Sequence, residues 1–390
     1  MIETSNYTLW QLVVYFLRLG TLGFGGPVAL VGYMRRDLVE KRRWISEADY
    51  KEGLALAQLA PGPLAAQLAI YLGYVRYRIL GATLAGLAFV LPSFVIVVAI
   101  GWAYVTYGGL AWMQAVFYGV GACVIGIIFH SAFRLTRKAL GKPSENRLLW
   151  LIYGVLAATT VITETENIWL FLAAGMAVWI TKAPPKILAE RPSLTSMVPL
   201  LWLVQQAQVK GAGNERLWEL FLFFVKAGAF VFGSGLAIVP FLYGGVVKEY
   251  GWLSEEQFVD AVAVAMITPG PVVITVGFIG YLVAGFPGAV VAAGATFLPC
   301  YLFTIVPAPY FKKYGRRADI AAFVEGVTVA AIGAISGAVI VLARRTIDDV
   351  PTLVIACVTI VLLWRVRKLP EPVVVLAAAV VGLVLYPVFG

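Results

Sequence analysis

The chain has 390 residues, 61% of them hydrophobic and 13% charged, against about 45–50% and about 25% in ordinary soluble proteins. That is too few ionisable groups to cover a soluble surface; a mean hydropathy of +0.87, with 39 Gly and 20 Pro, points instead to an all-α polytopic membrane protein. The net charge of +9, from 30 Lys and Arg against 21 Asp and Glu, then reads as cytoplasmic loop charge rather than as a nucleic-acid footprint.

The first ten residues, MIETSNYTLW, lack the basic start of a signal peptide, so the first apolar segment, roughly 10–33, is expected to remain as a span. It carries Arg18 and the run Gly23-Phe24-Gly25-Gly26-Pro27. An ionisable group inside a span is costly and usually faces a cavity or a partner, although a long side chain can also snorkel. The glycine run either packs closely against a neighbour or unwinds and presents backbone to a ligand.

A basic loop follows, with Arg35, Arg36, Lys41, Arg42 and Arg43. Two helical stretches then flank Pro61-Gly62-Pro63. The first opens at Ser46-x-x-Asp49, which resembles a capping box. It runs about 14 residues, or about 21 Å, too short to cross a bilayer. Ala60, ahead of a proline, should end it. Arg76 and Arg78 return the chain to a positive flank, so the pair of stretches is expected to form a re-entrant hairpin with its PGP tip in the membrane interior. A plain connection between two full spans is the alternative. Non-helical backbone at that depth survives only where protein buries it or a cavity receives it. A helix starting near Leu64 would aim free N–H groups and a partial positive charge inward, close to Gln58 and Gln67. Further spans are expected at 79–105, 111–133, 148–163 and 167–181. His130 lies in one of them as a hydrogen-bonded structural residue, and Lys51 and Glu52 lie on the first arm of the hairpin.

The second half repeats the first. A shift of 208 places Phe16 on Phe224, Gly20 on Gly228, Gly25 on Gly233, Trp44-x-Ser46 on Trp252-x-Ser254, and the first PGP on Pro269-Gly270-Pro271. One residue is then dropped, and Gly73, Gly81, Pro92, Gly119 and Gly126 fall on Gly280, Gly288, Pro299, Gly326 and Gly333. The expected organisation is a repeat over 1–192, a linker over 193–216, and a second repeat over 217–390, each of about five transmembrane helices and one PGP hairpin. The second-half spans fall at 217–244, 288–309, 321–342, 350–364 and 371–388. Loop charge reverses between the halves: the uncharged turn at Tyr107-Gly108-Gly109 corresponds to Lys312, Lys313, Arg316 and Arg317, while Arg76 and Arg78 correspond to Gly285-Phe286-Pro287. That reversal indicates inverted repeats. With both termini outside, about 24 of the Lys and Arg residues lie on the cytoplasmic face.

Two hairpins entering from opposite sides would bring two helix N-termini together as an anion site. The residues expected to bind substrate are Arg18, Gly25, Gly26, Pro61, Gly62, Pro63 and Gln67, with Lys226, Gly233, Ser234, Thr268, Pro269, Gly270, Pro271 and Thr275 in the second half. Arg18 and Lys226 are equivalent in the repeat, as are Gln67 and Thr275. Glu325 is read either as a proton-coupling group or as an interfacial end residue. Cys123, Cys300 and Cys357 stand alone, with no disulfide or zinc spacing. No cofactor and no metal are expected, and no Ser/His/Asp set or HExxH motif suggests an enzyme.

FGGP at 24–27, Lys41-Arg42-Arg43-Trp44 followed by Ser46-Glu47, Gln58-x-x-Pro61-Gly62-Pro63-x-x-x-Gln67, Leu91-Pro92, FGSG at 232–235 and Thr268-Pro269-Gly270-Pro271 resemble the chromate ion transporter family in its long-chain, two-domain form. The resemblance implies antiparallel halves and export of chromate, with sulfate as a similar oxyanion, driven by the proton-motive force across the cytoplasmic membrane. Both anions carry two charges, so outward movement gains about 4.6 kcal/mol per 100 mV of inside-negative potential. Sulfate uptake, or an anion channel on the same scaffold, is the alternative. The expected partners are chromate or sulfate and the lipid bilayer, with a homodimer as the assembly considered and no nucleic acid.

Overall fold

A computed structural model describes residues 6–23, 26–107, 111–141, 143, 146–164, 168–183, 215–229, 231–233, 238–311, 318–366 and 371–389. The expected linker at 193–216 lies almost wholly outside these residues. The molecule is helical, with one short pair of extended segments. Helices α1 (Leu9–Leu22), α2 (Gly26–Met34), α3 (Glu47–Leu59), α4 (Leu64–Tyr107), α5 (Ala111–Leu140), α6 (Arg147–Thr163) and α7 (Ile168–Lys182) make up the first half. The second half contains α8 (Glu215–Ala229), α9 (Ile238–Leu242), α10 (Glu255–Ile267), α11 (Thr275–Ile305), α12 (Ala318–Thr346), α13 (Val350–Arg365) and α14 (Glu371–Phe389). The extended segments are β1 (Gly62–Pro63) and β2 (Phe232–Gly233). Among the described residues four stretches are long and apolar enough to cross a membrane by length and composition: Leu64–Tyr107, Gln114–Leu140, Val272–Ile305 and Ala318–Arg344. Leu80, Leu87, Leu91, Val95 and Trp102 point outward along α4, an apolar exterior that suits lipid.

The first span expected at 10–33 is two helices. Helix α1 ends at Leu22, where Gly23 is extended (φ −80°, ψ 94°), and α2 starts at Gly26. In the second half α8 stops at Ala229, β2 follows, and α9 resumes at Ile238. The helix thus ends ahead of each run; Phe24, Gly25, Ser234 and Gly235 lie outside the described residues. Each broken helix continues into a π-helical turn, Arg35–Lys41 and Tyr243–Glu249.

Each PGP hairpin begins at a capped helix. Ser254 accepts from the Gln257 N–H while Gln257 reaches back to the Ser254 N–H, a complete capping box. The first copy is incomplete: Ser46 accepts from the Asp49 N–H, but the Asp49 carboxylate takes the Ser46 hydroxyl instead of the cap backbone. Both arms run 13 residues, about 20 Å at 1.5 Å per residue. They end at Ala60 and Thr268, both extended, because the following proline disfavours helix.

After the tips the chain runs back and folds over sharply. Arg78 (φ 51°, ψ −138°) breaks α4, and Gly285 (φ 61°, ψ −154°) breaks α11 at the corresponding place. The two arms of each fold lie against each other: a Cβ on Gly73 would come within 2.2 Å of the Gly81 carbonyl oxygen, and one on Gly280 within 2.3 Å of that of Gly288. Only glycine allows backbones that close.

The halves are interleaved. Helix α5 of the first half packs against α13 and α14 of the second, while α12 of the second packs against α6 and α7 of the first. The repeat-related glycines explain the exchange, since a Cβ on Gly119 would lie 2.1 Å from the Ala378 carbonyl oxygen and one on Gly326 would lie 2.4 Å from that of Ala174. Polar contacts follow the same crossing. Lys182 pairs with Glu325 at 2.8 Å, Lys248 with Glu164 at 3.0 Å, and the Tyr118 hydroxyl donates to Asp349.

Candidate functional site

The two PGP tips meet the broken helices of the opposite halves. Gly62 and Pro63 pair in parallel with Phe232 and Gly233, and the Gly62 N–H donates to the Val231 carbonyl at 2.5 Å. At the second tip the Gly270 N–H donates to the Gly23 carbonyl at 2.9 Å. Each tip is thus stitched by backbone to the glycine segment of the other repeat. Gly62 (φ 144°) and Gly270 (φ 96°) hold backbone that L side chains rarely adopt. Gly62, Pro63 and the whole of Thr268–Pro271 are buried.

Directly beyond the tips the return arms begin. Helix α4 starts at Leu64, as expected; in the second half Val272–Ile274 forms a 3₁₀ turn before α11 starts at Thr275. Helices α4 and α11 pack on one another, and β1 also touches α11. Two helix N-termini are therefore held near one another in buried protein; at the second, the Ile274 N–H already donates to the Pro271 carbonyl and the Thr275 N–H to those of Val272 and Val273.

The expected donors are distributed differently from the sequence reading. The tip amides of Gly62 and Gly270 are already bonded. The hydroxyls of Thr268 and Thr275 donate to their own helical segments, at Val264 O (2.7 Å) and Val272 O (2.8 Å). Gln67, wholly buried, donates from Nε2 to the Pro61 carbonyl at 2.8 Å, and its Oε1 has no partner. Gly26 opens α2 and Gly233 lies in β2; Gly25 and Ser234 lie outside the described residues. Gln58 is exposed on α3.

Arg18 and Lys226 sit at equivalent places on α1 and α8, but their side chains are exposed, on the faces opposite Phe16 and Phe224. Neither has an ion-pair partner among the described residues. Glu325 is held by both carboxylate oxygens to Lys182, as an interfacial end residue would be. His130 corrects an expectation: its Nδ1 is buried without a hydrogen-bond partner.

Three residues escaped the sequence reading. Ser93 is buried and donates to the Gly20 carbonyl at 3.3 Å, against the second tip; a hydroxyl next to Pro92 in an apolar span was the available signal. Tyr71 donates to Glu52 and Tyr104 to Asp260, each at 2.7 Å. Glu52 and Asp260 are repeat equivalents on the first arms, so each hairpin carries one tyrosine-bound carboxylate.

A cavity of about 600 Å³ lies beside the second hairpin, lined by Tyr118, Tyr243, Glu255, Glu256, Asp260 and Tyr386 among others. Its carboxylates would repel a dianion, so it is not a binding place for one. Asp349 bonds to two residues of the lining: burial tends to raise its carboxyl, but hydrogen bonds from Thr352 and Tyr118 outweigh this and leave it below the ordinary value.

The sequence profile of the chromate transporter family matches residues 10–179 and again 218–383. The chain belongs to the chromate transporter family. It is 68% identical over 387 residues to a chromate transport protein of Cupriavidus metallidurans, covering 98% of this chain and 94% of that one. It is 62% identical over 381 residues to a protein of Synechococcus elongatus named a probable chromate transport protein, covering 97% and 96%. An uncharacterized transporter of Bacillus subtilis matches at 30% over 173 residues, 44% of this chain but 88% of its own length. No solved structure matches. Membership agrees with the apolar exterior: this chromate transporter is a multi-pass membrane protein.

Proposed function

We propose that this protein exports chromate across the cytoplasmic membrane, driven by membrane potential and proton-motive force, and that the anion binds between the two PGP tips at the starts of α4 and α11. The observation that carries the reading is the reciprocal stitching of each tip to the broken helix of the other half. It gathers two helix N-termini and two irregular backbones in one buried place, the arrangement that secondary transporters use for anionic substrates. On this reading the first-turn amides of α4 supply the donors, since the amides of Gly62, Gly270, Ile274 and Thr275 are occupied. Chromate's relatives among oxyanions, sulfate included, would present the same tetrahedral shape.

The inverted arrangement is supported by the cross-half contacts. Lys182–Glu325 joins two ends that the loop charges put on the cytoplasmic face, and Lys248–Glu164 and Tyr118–Asp349 join ends on the other. On this reading the hairpins are re-entrant and enter from opposite sides. Arg18 and Lys226, exposed beside the broken helices, draw the anion in rather than grip it.

Inverted membrane vesicles containing the protein should accumulate chromate when an inside-positive potential is imposed, and should lose that flux when either Pro61-Gly62-Pro63 or Pro269-Gly270-Pro271 is replaced by Ala-Ala-Ala. Unaltered flux through both replaced tips would refute the site.

A further inference from the structure

The first tip carries a feature that the second does not. Gln67 is 0% exposed, in the first turn of α4, and its Oε1 has no hydrogen-bond partner. Its orientation is fixed by the bond from Nε2 to the Pro61 carbonyl; turning the amide over would set two acceptors against each other. The amide lies across Gly62, where a Cβ would come within 2.7 Å of Nε2 and 2.8 Å of Cδ. The repeat equivalent, Thr275, has its hydroxyl satisfied by Val272. A buried acceptor left without a donor is costly, and this one lies in the first turn of α4, directly behind the tip. Donors suit the bare oxygens of an oxyanion, but the acceptor requires an O–H.

Tetrahedral oxyanions differ in that respect. Chromate takes up a proton near neutral pH and becomes hydrogenchromate, a monoanion with one O–H. Sulfate and selenate are anions of strong acids and carry none. Resting on the chromate reading above, we propose that the first tip binds hydrogenchromate, with Gln67 Oε1 accepting its O–H, and that Gln67 is the residue that sets chromate apart from sulfate. A site that hydrogen-bonds a substrate hydroxyl rejects an analogue lacking it, because its own polar group is left unpaired. No bond is made or broken: the proton enters with the anion and leaves with it.

The ionisable groups on the surrounding elements include Arg18 on α1, Lys51 and Glu52 on α3, Tyr71 and Tyr104 on α4, Lys226 on α8, Asp260 on α10 and Tyr281 on α11. Glu52 is bonded by Tyr71 and Asp260 by Tyr104, and none of these groups supplies a donor to Gln67 Oε1. Their titration would alter handling of any oxyanion alike. A pH effect seen with chromate and not with sulfate belongs to the substrate's own proton.

The test uses inverted vesicles containing the full-length protein, with labelled chromate and, separately, labelled sulfate, from mildly acidic to mildly alkaline pH. In the wild type the KM for chromate should rise about tenfold per pH unit above neutrality, with sulfate and selenate competing weakly throughout and hydrogenphosphate, which has an O–H, competing better. In Gln67→Leu the preference for chromate over sulfate should fall by about 10- to 100-fold, and the pH dependence of the chromate KM should flatten. Gln67→Glu, an acceptor when either charged or protonated, should retain more of the preference at the acidic end than Gln67→Leu. A wild-type chromate KM independent of pH, or equal competition by sulfate, overturns the proposal without any variant. Preference unchanged in Gln67→Leu also overturns it. Absence of chromate flux in the wild type would instead overturn the chromate reading itself.

Discussion

Gly270→Ala tests the second tip at its tightest point. Gly270 has φ 96°, and a Cβ there would come within 2.0 Å of Ser93 Oγ and 3.2 Å of Ser93 Cβ. The backbone strain costs about 1–3 kcal/mol. Ser93 must also rotate and give up its 3.3 Å bond to the Gly20 carbonyl, a further loss of about 0.5–1.5 kcal/mol. The sum is about 1.5–4.5 kcal/mol. Ser93→Ala alone should cost about 1 kcal/mol by orphaning one acceptor. In the double variant the oxygen clash is gone, and the strain, the 3.2 Å contact and a 3.3 Å approach to the Gly20 carbonyl oxygen remain. Adding Ser93→Ala to Gly270→Ala should therefore raise stability, although the same change lowers it in the wild type; that reversal is a coupling of about 1–2 kcal/mol. Melting in detergent gives the stabilities, and chromate flux in vesicles reports whether the tip still works. Equal effects of Ser93→Ala in both backgrounds would refute the packing described for this tip.

At the fold-back of α11, Gly285 has φ 61° and open space where a Cβ would go, so Gly285→Ala should cost about 1–3 kcal/mol through strain alone, read as a lowered melting temperature. Joint neutralisation of Arg18 and Lys226 to Gln should raise the chromate KM several-fold, spare the maximal rate, and matter less at high salt, because charges that attract from an exposed position are screened. Loss of the maximal rate would mean that these cations do grip the anion. Asp349→Ala should cost about 1 kcal/mol by removing the α13 cap and release Tyr118. Because this carboxyl is held below its ordinary value, its contribution is present at neutral pH and fades only as pH falls through the acid range, where the variant and wild-type melting temperatures should converge.

Proline and charge made the hairpins legible. Ala60 and Thr268 end their helices because proline acts on its neighbour wherever it stands, and the 13-residue arms needed only a count. The broken helices were half legible: Gly-Gly-Pro weakens a helix, but packing decides whether it opens. The facing of Arg18 and Lys226 was not legible, since the repeat fixes their equivalence but not which side of α1 and α8 is covered. The same limit applies to Gly119 and Gly326. Their match across the repeat marked them as equivalent, but neither the close approaches nor the partners, which lie in the opposite half, could be read from it. Gln67 was visible as a polar residue near a tip; its unpaired oxygen depends on Pro61 taking the other end of the amide.

The interleaving constrains how the molecule can be built and divided. Because α5 is covered by α13 and α14, and α12 by α6 and α7, neither half cut from this chain would have its own long helix covered. A chain severed in the 184–214 segment should yield fragments that are unstable when made singly and that restore transport when made together. If transport proceeds by one body rocking against another, each body would be assembled from both halves. The duplication is thus a sequence unit without being a mechanical one.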